Sequence, residues 1–359
     1  MTIPRLTTAS PPASLSAIAS RVTDRVVSFV AAEGRRWTAL DADLAGPFNE
    51  IRRMVEAGGK RLRPAFCQWG FVGAGGSPDD PRVVDAGAAF ELMHAFALFH
   101  DDVMDDASSR RGESTTHAVY ADTHRLAGWS GESRRFGEGA AILVGDLAFV
   151  LADELLVGAS DPVWRMWNEL RTELNIGQFL DIVGSVRGER GIDRAERIAR
   201  YKSGKYTIER PLHLGALLAA PQRADELLPQ LSRYGLPLGD AFQMRDDVMG
   251  VFGDTAVTGK PVGGDLIEGK PTPLLARAVA GATPVQLAVL DRVGAPDLDA
   301  GDIAAIQQVI VDTGALDQLE AAIERLSDEA IDALATIAIT QVARDELVEL
   351  ARYVVGRAG

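Results

Sequence analysis

Apolar residues recur every three or four positions along almost the whole chain, which is the spacing of one face of an α-helix. Clear examples run from Ile142 to Leu155 and from Ile303 to Ile310. Proline and glycine interrupt the pattern at intervals, and no run of alternating β-branched residues indicates a strand. The pattern therefore predicts an all-α protein with about ten or more helices.

The gaps in this pattern predict the domain organisation. Residues 1–14 are rich in Ser, Thr and Pro, so we expect a disordered tail there, followed by a single all-α domain over residues 15–359. The longest stretches without helical periodicity are residues 107–137 and 250–273. Long loops in a compact domain are usually functional, so we expect binding loops at both places.

Composition narrows the possible functions. The chain carries 37 Lys and Arg against 51 Asp and Glu, a formal net charge of −14, which argues against bulk binding to nucleic acid or an anionic membrane. The single cysteine, Cys67, excludes an intramolecular disulfide and a cysteine-based zinc site, and it favours a cytoplasmic location. No apolar stretch reaches roughly 18 residues, so we expect no membrane span. The first residues, Met-Thr-Ile-Pro-Arg-Leu, lack the basic flank and apolar run of a signal peptide, so we expect none.

An acidic motif, Asp101-Asp102-Val103-Met104-Asp105, ends an apolar helix that we expect to begin near Pro81. Asp101 and Asp105 are four residues apart, so they share a helix face with Cβ atoms about 5–6 Å apart. Two such carboxylates repel each other unless a cation lies between them, and carboxylate oxygens suit Mg²⁺. The alternative is a solvated acidic helix end, but negative charge at a helix C-terminus opposes the helix dipole.

A second motif resembles the first and also follows an apolar helix. It runs Phe242-Gln243-Met244-Arg245-Asp246-Asp247-Val248-Met249-Gly250, with Gly250 where a third aspartate could stand. Two acidic motifs on different helices could together hold several divalent ions.

Cations are concentrated beside glycines, although the protein as a whole is acidic. They are Lys60, Arg61 and Arg63 after Gly58-Gly59, Arg110-Arg111 before Gly112, and Lys202, Lys205, Lys260 and Lys270 near glycine-rich turns. Scattered cations are usually solvated surface charges, but clusters next to metal-type carboxylates predict a substrate that carries diphosphate. No P-loop and no dinucleotide-binding glycine motif is present, and the five histidines suggest no histidine-based metal site.

The order and spacing of these motifs, over about residues 45–280, resemble the trans-polyprenyl diphosphate synthases, which include farnesyl and geranylgeranyl diphosphate synthases. Further matching residues are His94, Gly177-Gln178 with Asp181, and Lys202-Ser203-Gly204. The resemblance implies an all-α isoprenoid synthase fold, a single large helical bundle around a deep central cavity, usually as a homodimer. It also implies Mg²⁺-dependent condensation of an allylic diphosphate (dimethylallyl, geranyl or farnesyl) with isopentenyl diphosphate.

The resemblance also implies roles for individual residues. About three Mg²⁺ ions would be held by Asp101, Asp105 and Asp246, with Asp102 and Asp247 in support. The residues implied to bind the allylic diphosphate are Arg110, Lys202 and Lys260, and those implied to bind isopentenyl diphosphate are Lys60, Arg63, His94 and Arg111. Gln243, Ser203 and the Lys202 carbonyl would lie near the developing allylic cation, and Gln178 and Asp181 would support the metal site.

Product length should depend on the helix before Asp101, because one helical turn of 5.4 Å is about one isoprene unit. Ala97 lies one turn before Asp101, with Phe96 beside it and Met93 deeper. In the family, an aromatic residue five positions before the motif next to a small residue often accompanies a twenty-carbon product. We therefore expect geranylgeranyl diphosphate, with farnesyl diphosphate as the alternative, although Phe96 could simply be a core residue.

Two rival functions share the acidic motifs. A terpene cyclase would not need Lys60, Arg63, His94 and Arg111 as a second diphosphate site. A non-catalytic subunit of a heteromeric synthase would be expected to lose acidic ligands, whereas this chain keeps nearly all of them. Gly250 is the one departure within the acidic motifs, and since the first aspartate of the second motif is the implied ligand, we expect activity to survive it.

Overall fold

The computed structural model describes residues 10–253 and 263–356, and most of these residues lie in helices. This confirms the predicted all-α class. By their internal contacts they divide into two compact units, one made of residues 13–68 and 77–160 and the other of residues 69–76 and 161 onward. The predicted single domain over residues 15–359, with its deep central cavity, stays a prediction.

The first unit carries the first acidic motif. Its helices are α1 (Ala13–Thr38), α2 (Ala45–Glu56), the start of α3 (Leu62–Gly73), α4 (Pro81–Met104), α5 (Thr116–Leu126) and α6 (Ser133–Glu154). A short antiparallel hairpin, β1 (Ser109–Arg110) and β2 (Glu113–Ser114), follows α4. Helix α1 begins inside the predicted tail of residues 1–14, of which residues 1–9 lie outside the described residues.

Helix α4 begins at Pro81, as the sequence predicts, because local residues define its start. The Asp80 side chain accepts a hydrogen bond from the Arg82 amide at 2.9 Å, and Pro81 occupies the first turn, where its missing N–H costs nothing. Most of the middle of the helix is buried, including Phe90, so α4 packs on several sides. Its end therefore holds Asp101–Asp105 at a fixed place in this unit.

The prediction of a long loop over residues 107–137 is wrong. The structure places the β1–β2 hairpin, all of α5 and the start of α6 in this stretch. Helix α5 buries only Thr116, His117 and His124, so it has no apolar periodicity that a sequence pattern could show. The second expected loop, residues 250–273, contains the end of one helix and a short helix, and its residues 254–262 lie outside the described residues.

The second unit carries the second acidic motif. Its helices are α7 (Asp161–Val186), α8 (Ile192–Ala199), a π-helix (Arg200–Glu209), α9 (Arg210–Ala219), α10 (Ala224–Phe252), α11 (Gly264–Ile267), α12 (Pro273–Gly281), α13 (Pro284–Leu290), α14 (Ala300–Asp312), α15 (Ala315–Leu334) and α16 (Gln341–Gly356). Apolar residues of α10, such as Val248 and Val251, form a core with residues of α11 to α15, such as Leu319. The C-terminal helices thus support the helix of the second motif.

Arg245, inside the second motif, fixes α10 to the C-terminal helices. It is buried, and its guanidinium donates two hydrogen bonds to Glu320 of α15, each at 2.7 Å, and one to the Val355 carbonyl of α16 at 2.8 Å. Such a two-point contact defines direction as well as distance. Within residues 10–253 and 263–356, no helix has the length and apolarity needed to cross a bilayer.

Candidate active site

The aspartates at the end of α4 differ in exposure. Asp102 is buried and accepts a hydrogen bond from Arg110 Nε at 2.7 Å, whereas Asp101 is partly exposed and its Oδ2 lies 3.7 Å from Arg110 Nη2. Burial raises the pKa of Asp102, although Arg110 acts in the opposite direction. Its second oxygen, Oδ2, is buried without a hydrogen-bond partner. Asp101 and Asp105 are thus the more accessible carboxylates of this motif, with Asp102 behind them.

The β1–β2 hairpin carries two adjacent arginines, Arg110 and Arg111, whose side chains contact different segments. Its two central residues, Arg111 and Gly112, have φ angles of 54° and 80°, the left-handed pair that a two-residue hairpin favours. Arg110 reaches back to the end of α4, whereas Arg111 donates to the Gly58 carbonyl in the loop between α2 and α3. The Arg-Arg pair therefore connects the acidic motif to the glycine-flanked basic turn.

That basic turn, residues 58–61, is held by Arg61. The residue has a φ of 48°, lies buried, and forms a 2.5 Å ion pair with Glu91 of α4 and a hydrogen bond to the Val55 carbonyl. A Cβ at Gly59 would lie 3.2 Å from Arg61 and 3.4 Å from Arg111, so glycine leaves room for two guanidinium groups. The sequence predicts Arg61 among the phosphate-binding cations and does not indicate its pairing with Glu91. The structure gives Arg61 a buried structural role.

His94 lies within the electrostatic influence of this turn and of the hairpin. Burial, and then the nearby charges of Arg63, Arg111, Arg110 and Arg61, hold its pKa well below the usual value, so the imidazole is neutral. Arg63, His94 and Arg111, which the resemblance assigns to one diphosphate, are thus brought into one positive region. Lys60, the fourth residue of that set, lies in the same turn and is partly exposed.

The second motif has the same division between a buried and an accessible aspartate. Asp247 is buried and accepts a hydrogen bond from Gln243 Nε2 at 2.9 Å, while Asp246 is partly exposed. Burial, with Asp265 and Asp246 acting in the same direction, raises the pKa of Asp247 well above its usual value. The Oδ2 of Asp247, like that of Asp102, is buried without a hydrogen-bond partner.

Asp265 is a carboxylate that sequence reasoning missed. It lies on α11, and an ideal Cβ at Gly250 would be 2.0 Å from its Oδ2 atom, so the absent side chain of Gly250 leaves the space that Asp265 occupies. The departure from the family pattern at Gly250 therefore has a physical reason. The signal in the sequence was weak, because Asp265 stands alone in a glycine-rich stretch fifteen residues after Gly250.

Lys202 and Ser203 lie in the π-helix. The Lys202 ammonium is 2.5 Å from Asp181 Oδ2 on α7, so the structure pairs two residues that the resemblance places at the site. Gly177 allows this approach, because a Cβ there would lie 2.4 Å from the Lys202 amide nitrogen. Gln178 follows directly and is partly exposed. Lys260 lies outside the described residues.

The residues expected to control product length occupy two sides of α4. Met93 is fully buried, and Ala97 is partly exposed one turn before Asp101. The Phe96 ring instead packs on His100 and on Phe149 of α6, with ring centroids 4.6 and 4.8 Å apart. The structure thus shows packing for Phe96, and its effect on product length stays a prediction.

The donor chemistry fits Mg²⁺. The candidate ligands are all carboxylates, and each motif backs its accessible aspartate with a buried carboxylate oxygen that has no hydrogen-bond partner. Within residues 10–253 and 263–356, no three His, Cys, Asp or Glu side chains are grouped closely enough to hold a metal by themselves. Mg²⁺ usually takes only one or two carboxylates and completes its shell with water and substrate phosphates, so the donor set suits an ion that arrives with a diphosphate.

Comparison with known proteins agrees with these observations. Residues 48–310 match the Polyprenyl synthetase family. A geranylfarnesyl diphosphate synthase from Aeropyrum pernix is 31% identical over 306 residues, 83% of this chain and 89% of that protein. A (2E,6E)-farnesyl diphosphate synthase from Mycobacterium tuberculosis is 32% identical over 83% of this chain and 80% of its own length.

Solved structures give the same result. A geranylgeranyl pyrophosphate synthase from Corynebacterium glutamicum, complexed with isoprenyl diphosphate and magnesium, aligns with a TM-score of 0.89 and 35% identity over 96% of this chain and 99% of its own. The three relatives make products of different length, so they agree on the reaction class and leave the product open. The chain has the isoprenoid synthase fold, belongs to the polyprenyl synthetase family and is a trans-prenyltransferase.

Proposed function

We propose that this enzyme condenses isopentenyl diphosphate with an allylic diphosphate in a Mg²⁺-dependent reaction and releases pyrophosphate. The main support is the positive region around His94, because positive charge beside the first acidic motif suits a second anion. A cyclase handles one diphosphate and has no use for it. Lys60, Arg63, His94 and Arg111 would bind isopentenyl diphosphate there, and the neutral imidazole of His94 keeps both a donor and an acceptor nitrogen.

The allylic diphosphate would bind at the two acidic motifs. Asp101, Asp105 and Asp246 would hold about three Mg²⁺ ions, with Asp102 and Asp247 behind them. Bound Mg²⁺ stabilises the negative charge that develops on the diphosphate as the C–O bond breaks. Arg110, Lys202 and Lys260 would bind the same group as fixed positive charges.

The carbon end of the allylic substrate needs different partners. Because Gln243 Nε2 donates to Asp247, its amide oxygen is the end that can face a developing allylic cation. The Ser203 hydroxyl and the Lys202 carbonyl would add further oxygen dipoles. The apolar side chains of α4 before Asp101 would exclude water, which prevents hydrolysis of the cation.

We propose geranylgeranyl diphosphate as the product, with farnesyl diphosphate as the second candidate because a farnesyl diphosphate synthase is 32% identical to this chain. The chain end would run beside α4, past Ala97 toward Met93. Replacing Phe96 by Ala removes the ring packed on Phe149 and opens space beside Ala97. We expect Phe96→Ala to lengthen the products, and an unchanged distribution would remove Phe96 from this argument.

We further propose a homodimer. Two exposed apolar residues of α6, Leu143 and Val150, are 68% and 61% exposed and lie seven residues apart on one face. In the second unit, Ile176 and Phe179 of α7 are 50% and 65% exposed. Exposed apolar faces of this kind are typical of interfaces. Light scattering should give twice the chain mass for the wild type. The double variant Leu143→Arg with Val150→Arg should give the mass of one chain. A double variant that is still a dimer would show that the α6 face is not the interface.

Product analysis by mass tests the proposed reaction. The purified protein receives Mg²⁺ and isopentenyl diphosphate with dimethylallyl, geranyl or farnesyl diphosphate in turn, and separately geranylgeranyl diphosphate alone. We expect elongation with the primers and no reaction in the last tube. Hydrocarbon from geranylgeranyl diphosphate alone would show a cyclase, and no product in any tube would indicate a non-catalytic subunit.

Aspartate variants test the metal assignment. Asp101→Ala and Asp246→Ala should each lower Mg²⁺-dependent turnover by about 100-fold or more, because each removes a group that stabilises charge in the transition state. Asp106→Ala is the matched control: it removes the same charge next to the first motif, from a side chain that is 68% exposed. Full activity in both Asp101→Ala and Asp246→Ala would show that the assignment is wrong.

A further inference from the structure

The π-helix that carries Lys202 is unusual in its length. It runs for ten residues, Arg200–Glu209, whereas π-helical winding normally occurs as a single-turn bulge, often at a functional site. The contacts of this segment with neighbouring helices determine where Lys202 lies.

Glycines set the distance of the π-helix from its neighbours. A Cβ at Gly177 of α7 would lie 2.4 Å from the Lys202 amide nitrogen, and one at Gly204 would lie 3.0 Å from Gly239 of α10. The backbone of the π-helix thus packs directly on α7 and α10. At its start, Arg200 pairs with Asp240 of α10 at 2.5 Å.

At the end of the π-helix, the Glu173 carboxylate of α7 contacts two cations, Lys205 and Arg210. Glu209, the last residue of the π-helix, lies farther from the same cations, at 3.8 and 3.9 Å. Lys205, inside the π-helix, forms an ion pair with Glu173. Arg210, the first residue of α9, donates to Glu173 through Nε and Nη2, each at 2.7 Å. Burial alone would raise the pKa of Glu173, but the hydrogen bonds from Arg210 and Lys205 lower it, so the carboxylate stays charged.

These contacts separate the two lysines of the π-helix. Lys205 and Glu173 are each 13% exposed, so this pair is enclosed. The Lys205 ammonium also lies over the Tyr201 ring, 5.0 Å from its centroid. Lys202, paired with Asp181, is 26% exposed and can reach a substrate. Lys205, which sequence reasoning placed among the candidate phosphate-binding cations, is thus used within the protein.

We propose that Glu173 is a positioning residue: by holding Lys205 and Arg210 together, it fixes the π-helix in the place from which Lys202 and Ser203 reach the allylic diphosphate. The inference rests on the proposed function for the identity of that diphosphate. It predicts that loss of Glu173 affects the allylic substrate and spares isopentenyl diphosphate, because the residues proposed to bind the latter lie outside the π-helix. A purely structural role would lower thermal stability without this selectivity.

Steady-state kinetics of Glu173→Gln and Glu169→Gln test the proposal. Glu169 also accepts a hydrogen bond from Arg210, at 2.6 Å, but it is 55% exposed, so it is a matched control for the change in charge. We expect Glu173→Gln to raise the KM for the allylic diphosphate and to lower kcat, so that kcat/KM falls by about tenfold or more. Displacements of a binding group by about 1 Å have effects of at least this size. The KM for isopentenyl diphosphate should stay within about twofold, and Glu169→Gln should match the wild type.

Two further measurements keep the result decisive. Lys205→Met leaves the Arg210–Glu173 contact intact and should reproduce the allylic-specific effect even if Glu173→Gln folds poorly. Calorimetric binding of inorganic pyrophosphate with Mg²⁺ should weaken about tenfold in both variants but not in Glu169→Gln. An inactive wild type with this binding pattern would contradict the proposed reaction and support the positioning role. An active wild type whose Glu173→Gln and Lys205→Met variants keep normal allylic KM and pyrophosphate binding would overturn the positioning role.

Discussion

The ion pair between Arg61 and Glu91 gives a prediction that links stability to substrate binding. Their side chains are 6% and 3% exposed, and Arg61 also donates to the Val55 carbonyl and to Thr23 Oγ1. The pair fixes a turn in which Gly58, Gly59 and Arg61 all have positive φ angles, and this turn carries Lys60. Glu91→Gln keeps the shape of the side chain and removes its charge.

The expected magnitude follows from burial. Removing one partner of a buried ion pair leaves an uncompensated charge and costs about 3–5 kcal/mol. Glutamine still accepts a hydrogen bond from Arg61, so we expect the lower end of this range, about 3 kcal/mol. For a chain of 359 residues that unfolds in one step, this corresponds to a fall in Tm of about 4 °C. Because the turn loses its anchor, the KM for isopentenyl diphosphate should rise about tenfold while that for the allylic substrate stays unchanged.

Scanning fluorimetry and steady-state kinetics on the same preparations provide the test. Glu329→Gln removes a similar charge from the exposed pair with Arg325 and should change stability by less than about 1 kcal/mol. The double variant Arg61→Met with Glu91→Met should recover much of the Tm, because apolar replacement of a buried pair is often neutral, but not the KM. A Glu91→Gln variant with unchanged Tm and unchanged KM for isopentenyl diphosphate would refute the reasoning.

Three other predictions follow from single residues. Gly177→Ala places a Cβ against the Lys202 backbone, which cannot move aside as a side chain would. It should lower the free energy of unfolding, measured with urea, by about 1–3 kcal/mol. Steady-state kinetics should show a higher KM for the allylic diphosphate. Gly250→Ala should displace the Asp265 carboxylate and weaken activation by Mg²⁺ without lowering Tm, since alanine favours a helix. His94 stays neutral in the folded protein, because its pKa is lowered there, but binds a proton near pH 6.5 when the chain is unfolded. The free energy of unfolding should therefore fall as the pH drops below 6.5, by up to about 2 kcal/mol at pH 5. His94→Gln should remove this contribution to the pH dependence.

Each of these predictions has an outcome that contradicts it. Gly139→Ala, on α6, is the control for both glycine variants, because nothing lies within 4 Å of a Cβ there. A Gly177→Ala variant that matches it in stability and allylic KM would show that the close approach is unimportant. A Gly250→Ala variant with normal Mg²⁺ activation would show that Asp265 does not act there. An identical pH profile of unfolding in wild type and His94→Gln would exclude the histidine as a cause.

The sequence predicts features that depend on neighbouring residues. Helix α4 begins at Pro81 as expected, because Asp80 and Pro81 define its start without help from distant residues. The accessible aspartates follow from helical spacing and from the position of each motif near a helix end. The all-α class follows from periodicity repeated along the chain. Such local signals are complete within a few residues, so no three-dimensional information is needed to use them.

Features that depend on distant partners could not be predicted in this way. The π-helix looks like any other helical stretch, because its winding is held by Gly177 and Glu173 from an earlier helix. Arg245 appears in the sequence as one more residue of the second motif, and its partner Glu320 is 75 positions away. The prediction of a long loop over residues 107–137 is wrong for a related reason: α5 is stabilised by its contacts and not by an apolar pattern.

The same distinction explains which cations serve the substrate. Beside glycines and acidic motifs, Arg61 and Lys205 are indistinguishable in the sequence from Arg63 and Lys202. All three cations face buried or nearly buried carboxylates, and the structure separates them by their own exposure: Arg61 and Lys205 are 6% and 13% exposed, whereas Lys202, paired with Asp181, is 26% exposed and open enough to meet a diphosphate. An enclosed pair is costly to break and holds one geometry, while a partly exposed pair exchanges partners at little cost. In this enzyme the enclosed pairs therefore position the segments that carry the substrate-binding cations, and variants of the two kinds should differ in which they disturb first, stability or the KM for a diphosphate.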